Sequence, residues 1–167
     1  MKHSMRRRCT SFLLVLTLAT AALTGCGSKT KGVDAVAVGK AMQKEATTFP
    51  KLKVITSQDK DADLNFTSLC DYKYDRVESF YYAYSKDGTA PEIAVISLKE
   101  ASDAAGLMAS LKDHVKNRKG TMQEYSPEQV EMVDNYILAH QGSAVTLVIG
   151  PQNAIVEKVF EKEVKGE

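Results

Sequence analysis

The sequence predicts an α+β domain: an antiparallel sheet of about four strands, arranged as two hairpins, with helices packed mainly on one face. Three observations predict it. Val77 to Ser85 and Pro91 to Leu98 are aromatic and β-branched runs joined by an Asp87-Gly88 turn signal. Tyr136 to His140 and Ala144 to Ile149 form a second such pair, joined at Gly142-Ser143. A long stretch of helical spacing separates the two pairs, and shorter helical patterns stand before the first pair and after the second.

Taken in order, the first helix is signalled by Asp34 as N-cap, with Val33 and Val38 placed as a hydrophobic staple. Val38, Ala41, Met42 and Phe49 continue at near-helical spacing until Pro50 stops it. Lys53 to Thr56 is a short extended piece, and Leu64 to Cys70 a short helix or turn. In the first hairpin, period two puts Phe80, Tyr82 and Tyr84 on one face and Tyr81 with Ala83 on the other, while Pro91 belongs at a strand start or an edge. The long helix opens at Ser102 as N-cap and carries Ala104, Met108, Leu111, Val115 and Met122 on one stripe, with Arg118 on that same stripe. Ser126-Pro127-Glu128-Gln129 reads as a capping box opening a short helix. Gly150-Pro151 ends the second hairpin, and Ile155, Val156, Val159 and Phe160 form the stripe of a closing amphipathic helix.

The N-terminal segment has the layout of an export signal. Arg6, Arg7 and Arg8 precede an apolar run from Phe12 to Leu23, and Leu23-Thr24-Gly25-Cys26 resembles the lipobox of bacterial lipoproteins. About twelve apolar residues reach roughly 18 Å as a helix, against roughly 30 Å of hydrocarbon, so the run is too short to span. The resemblance implies a diacylglyceryl group on the Cys26 sulfur, cleavage before it, and a mature chain held on the extracytoplasmic face of the cell membrane. The expected organisation is therefore a signal over 1–25, a lipidated cysteine and tether over 26–32, and one globular domain over 33–167. The general secretory route fits better than the twin-arginine route, because Cys9-Thr10-Ser11 departs from the latter's pattern.

Removing the signal removes Lys2 and the three arginines from 22 basic residues, so that 18 face 21 acidic ones, a net charge of −3. A mildly acidic domain in that compartment excludes nucleic acid as the expected partner. Cys9 leaves with the signal and Cys26 would carry lipid, so Cys70 is alone and no internal disulfide is expected.

Several features together resemble an uncharacterised family of Gram-positive bacterial lipoproteins that carries the domain of unknown function 4358. They are the lipobox, Pro91-Glu92-Ile93-Ala94-Val95, Arg118, Tyr125-Ser126-Pro127-Glu128, Asn135, and the final hairpin with Gly142 at its turn. The resemblance implies an α+β lipoprotein domain with no established activity and adds no catalytic residue.

No constellation of catalytic residues emerges from the residues themselves. Asp59, Asp61 and Asp63 alternate like the start of a calcium loop, but Leu64 stands where that loop needs glycine and Cys70 where it needs glutamate. Neither a zinc signature nor a phosphate loop nor a serine elbow is present, and no cofactor or metal is expected. Nothing places a base beside Cys70, and His114 and His140 are read as solvated or capping. A guanidinium on an apolar stripe must snorkel to water, pair with a carboxylate, or meet an anionic ligand, so Arg118 has Glu92, Glu128 and Asp134 as possible partners. Arg118, Tyr82, Tyr84 and Tyr125 are the expected contacts for a ligand or partner, and Cys26 the lipidation site.

The expected function is that of a non-enzymatic, membrane-anchored envelope protein that binds or scaffolds another envelope component, whether protein or glycan. The alternative is a single-domain small-ligand binder using the tyrosine-rich hairpin and Arg118. A pocket converging on Arg118 and exposed tyrosines would favour the ligand, and a flat apolar patch the partner protein. Oligomeric state is not legible in the sequence.

Overall fold

Ten regular elements follow one another in the computed structural model, which describes residues 32–166. They are α1 (Ala35–Glu45), β1 (Leu52–Thr56), α2 (Ala62–Phe66), β2 (Val77–Ser85), β3 (Glu92–Leu98), α3 (Ala104–Tyr125), α4 (Val130–Asp134), β4 (Ile137–Gln141), β5 (Ala144–Ile149) and α5 (Asn153–Lys165). The signal, the lipobox with Cys26, and the tether up to residue 31 lie outside the described residues. No described helix is long and apolar enough to cross a membrane.

The five strands form one antiparallel sheet in the order β1-β2-β3-β5-β4. The α+β class and both hairpins are as the sequence predicts. The fifth strand is the extended piece around Lys53 to Thr56, which pairs along β2 from Leu52↔Ser85 to Thr56↔Tyr81. Gly142 closes the β4–β5 turn with φ of 58°, a left-handed conformation open to glycine at no steric cost. The segment running from β3 through α3 and α4 reaches past β5 to the far edge, and β5 then returns into the gap beside β3.

Helices cover both faces of the sheet rather than mainly one. Strand alternation divides the buried side chains into two layers. Phe80, Tyr82, Ala94, Ile96, Val145, Leu147 and Ile149 pack with Phe66 of α2, Leu107 and Leu111 of α3 and Val133 of α4. Tyr81, Ala83, Ile93, Val95 and Val148 pack with Val38 and Met42 of α1 and Val156 and Phe160 of α5. Every residue of β3 and β5 is buried, so each of these strands needs cover on both sides. Gly39 lets α1 approach the sheet closely, since a Cβ there would overlap the Tyr81 ring.

Local signals in the sequence fare unevenly. Asp34 caps α1 as expected, its Oδ1 accepting from the amides of Val36 at 3.0 Å and Ala37 at 3.1 Å. The helix ends at Glu45, before Pro50, because the 46–49 segment turns back on itself. Ser102 is not the N-cap of α3; residues 101–103 form a turn of 3-10 helix that leads into Ala104. The capping box at Ser126 does not form either. Gln129 spends its side chain elsewhere: its Oε1 accepts from the Ala90 amide at 2.7 Å and ties the start of α4 to the β2–β3 turn. Ile155 is half exposed rather than on the buried stripe of α5, which Val156 and Phe160 carry.

Candidate functional site

Glu92 is the one charged residue among the described residues with no exposed surface. It opens β3, and the register sets it between Tyr84 of β2 and Ile149 of β5 on the face that α3 covers. An isolated carboxylate there would be prohibitively costly, so the fold supplies donors. The Tyr82 hydroxyl donates to Oε2 at 2.9 Å, and His114 Nε2 lies 2.7 Å from Oε1. Arg118 completes the set, its Nε 3.9 Å from Oε2 and its terminal nitrogen donating to the Thr89 carbonyl. With donors converging on both oxygens, Glu92 is the acceptor throughout, which puts the Nε2 proton on His114.

Helix geometry explains why the two nitrogen-bearing partners arrive together. His114 and Arg118 are four residues apart on α3, hence neighbours on one helix face. Leu111, Val115 and Met122 hold that helix to the sheet, fixing the height of both side chains over Glu92. The Tyr82 ring stacks on Tyr84 at 5.0 Å between centroids and meets the His114 ring edge-on at 6.4 Å. Burial, and then the charge and hydrogen bond of Glu92, push the Tyr82 phenol far above its ordinary pKa, with Arg118 opposing. Tyr82 is therefore a neutral donor to the carboxylate. The Arg118 Nε is buried and hydrogen-bonded to nothing.

This cluster forms the wall of a cleft of about 310 Å³, lined by Ser68, Tyr82, Tyr84, Ser85, Lys86, Gly88, His114 and Arg118. A second cleft of about 640 Å³ continues along α3 against the α2–β2 loop and shares Ser68 and His114 with the first. The two adjoining clefts form a groove along α3, with Ser68 and His114 common to both linings. Cys70 lies in the wall of the larger cleft, free and buried. Burial pushes its thiol up to about 11, a hydrogen bond from Ser110 works against this, and Asp71 adds to it. A thiol so raised is a poor nucleophile.

The structure brings three of the predicted contacts together: Arg118, Tyr82 and Tyr84 line one cleft. Tyr82 reaches it as a buried member of the Glu92 cluster, Tyr84 as a half-buried side chain. Tyr125 does not join them; it stands at the last position of α3, 77% exposed, outside both clefts. Of the three carboxylates open to Arg118, the fold selects Glu92. Asp134 pairs with Lys119 at 2.6 Å, and Glu128 lines a separate hollow beside β4. His114 is the residue that the sequence reading misplaced: it is turned inward onto Glu92, with a side chain 15% exposed, rather than solvated. Its signal was the four-residue spacing to Arg118. His140, on the edge strand β4, is exposed as expected. Asp59 turns its Oδ2 onto the Thr56 amide at 2.7 Å, closing the turn after β1.

Fold and cluster define an α+β domain with a polar groove between a helix and the sheet. The chain belongs to the family described as a domain of unknown function, DUF4358, whose model matches residues 54–150. That span contains Tyr82, Glu92, His114 and Arg118 and both walls of the groove, while α1 and α5 fall outside it. No curated protein and no solved structure matches the chain.

Proposed function

We propose that this is a lipid-anchored, extracytoplasmic and non-enzymatic binding domain that takes a small polar ligand in the groove between α3 and the β2–β3 hairpin. One observation carries the reading: a fully buried Glu92 engages Tyr82 and His114 through its two oxygens, with Arg118 paired beside them, at the wall of an open cleft. Rigid polar groups at a concave surface are what ligand recognition requires. The large exposed apolar side chains, Val54, Leu64, Tyr125 and Ile155, come from four different elements, which supports a ligand over a flat apolar contact. A thermal-shift screen of small polar compounds on the full chain in detergent tests it. Compounds that stabilise the wild type should fail to stabilise Arg118→Met; a screen whose hits act equally on both proteins would contradict the proposal.

A second reading, the binding or scaffolding of another envelope component, draws on the two open edges of the sheet. Among the described strands, β1 and β4 each have one neighbour. Membrane attachment rests on Cys26 and its resemblance to a lipobox. Cys26→Ala should abolish labelling by a radioactive fatty acid and shift the protein out of the membrane fraction; retained labelling would overturn the anchor.

A further inference from the structure

The two clefts that meet at His114 carry opposite charge. Lys86 and Arg118 line the smaller one, and no carboxylate does. Asp71 and Asp113 line the larger one, and no lysine or arginine does. Glu92 does not reverse the first statement: it has no exposed surface, and both of its oxygens are already engaged by Tyr82 and His114. A cation in the smaller cleft therefore finds no acceptor carboxylate, whereas an anion finds a guanidinium held in place and the exposed Lys86 ammonium beside it. Asp87, next to Lys86 in the turn, is outside the lining.

We infer that the groove binds an elongated zwitterion, with its carboxylate at Arg118 and Lys86 and its ammonium towards Asp71 and Asp113. The inference rests on the groove being a ligand site. Its polarity follows from the two linings: Arg118 borders the smaller cleft and Asp113 the larger, five residues apart on α3, roughly 7.5 Å along the axis and about 140° around it at ~1.5 Å and ~100° per residue. A short ω-amino acid covers that span. Ser68 and His114, common to both clefts, line the stretch that the ligand's methylene chain would cross.

Three probes of one chain length separate the possibilities: ε-aminocaproate, caproate and adipate, titrated by calorimetry into the full chain in detergent. ε-Aminocaproate should bind about fivefold more tightly than caproate, the scale of one exposed ion pair, and adipate should be the weakest. Asp71→Asn with Asp113→Asn should bring ε-aminocaproate down to the affinity of caproate. Both aspartates are exposed, so this variant is expected to fold, and circular dichroism would verify it. Arg118→Lys keeps the charge but loses the fixed fork, and should weaken all probes that bind. If caproate and adipate bind through Arg118 as well as ε-aminocaproate does, the zwitterion inference is overturned while the groove reading stands. If none of the three binds, the inference is overturned too, and the groove reading is then judged by the compound screen.

Discussion

Glu92 has no exposed surface, so each neighbour that it holds depends on it in turn. Removing its charge while keeping its shape leaves Arg118 and His114 with a weaker partner over the sheet. Glu92→Gln should cost about 3 kcal/mol in urea unfolding, the usual scale for breaking a buried pair from one side. An unchanged midpoint would mean that the cluster is solvated despite its burial. Cys70 gives a second residue-scale expectation. Its thiol, near 11 in the fold against 9.0 for a free group, favours the protonated form in the native state. The stability that this contributes is complete below pH 9 and lost as pH rises from 9 towards 11, and Cys70→Ala should remove that part of the alkaline decline. Alkylation at pH 8 should also run about a hundredfold below that of an ordinary thiol, which mass spectrometry of iodoacetamide adducts would measure.

Among the elements, α1 is positioned by a cap and a glycine. Asp34 starts it, and Gly39 lets it lie against Tyr81. A methyl at position 39 has no room, so Gly39→Ala should destabilise by about 1 to 3 kcal/mol despite alanine's better helix propensity, as read by thermal unfolding. A gain in stability would show that α1 can lift without loss. Element boundaries and element packing differ in how far the sequence revealed them. The hairpins were legible from Asp87-Gly88 and Gly142-Ser143, and α3 from its stripe, because turn chemistry and periodicity are local properties. Cover on both faces was not, although β3 and β5 are largely apolar on both faces, since α1 and α5 lie at opposite ends of the chain and meet only through the folded sheet. Gln129 fitted a capping box by spacing, yet its acceptor went to Ala90 across 39 residues. Local rules have no access to such a rival partner.

At the scale of the whole molecule, the groove depends on long-range placement. Arg118 stood out in the sequence as a charge on an apolar stripe, and Glu92 was among its possible partners. His114 did not stand out, because a histidine on a helix acquires a role only when a carboxylate from another element comes to face it. Nor was the charge division visible: Asp71 and Lys86 come from loops on either side of β2, and α3 sets Asp113 and Arg118 against them. The central claim is that this groove holds a small ligand through Arg118. Native mass spectrometry of the full chain, purified from the cells that make it, tests it most directly. The account predicts a bound small molecule on the wild type that is absent from Arg118→Met; equal occupancy in the two proteins, or ligand-free spectra for both with every screened compound, would contradict it.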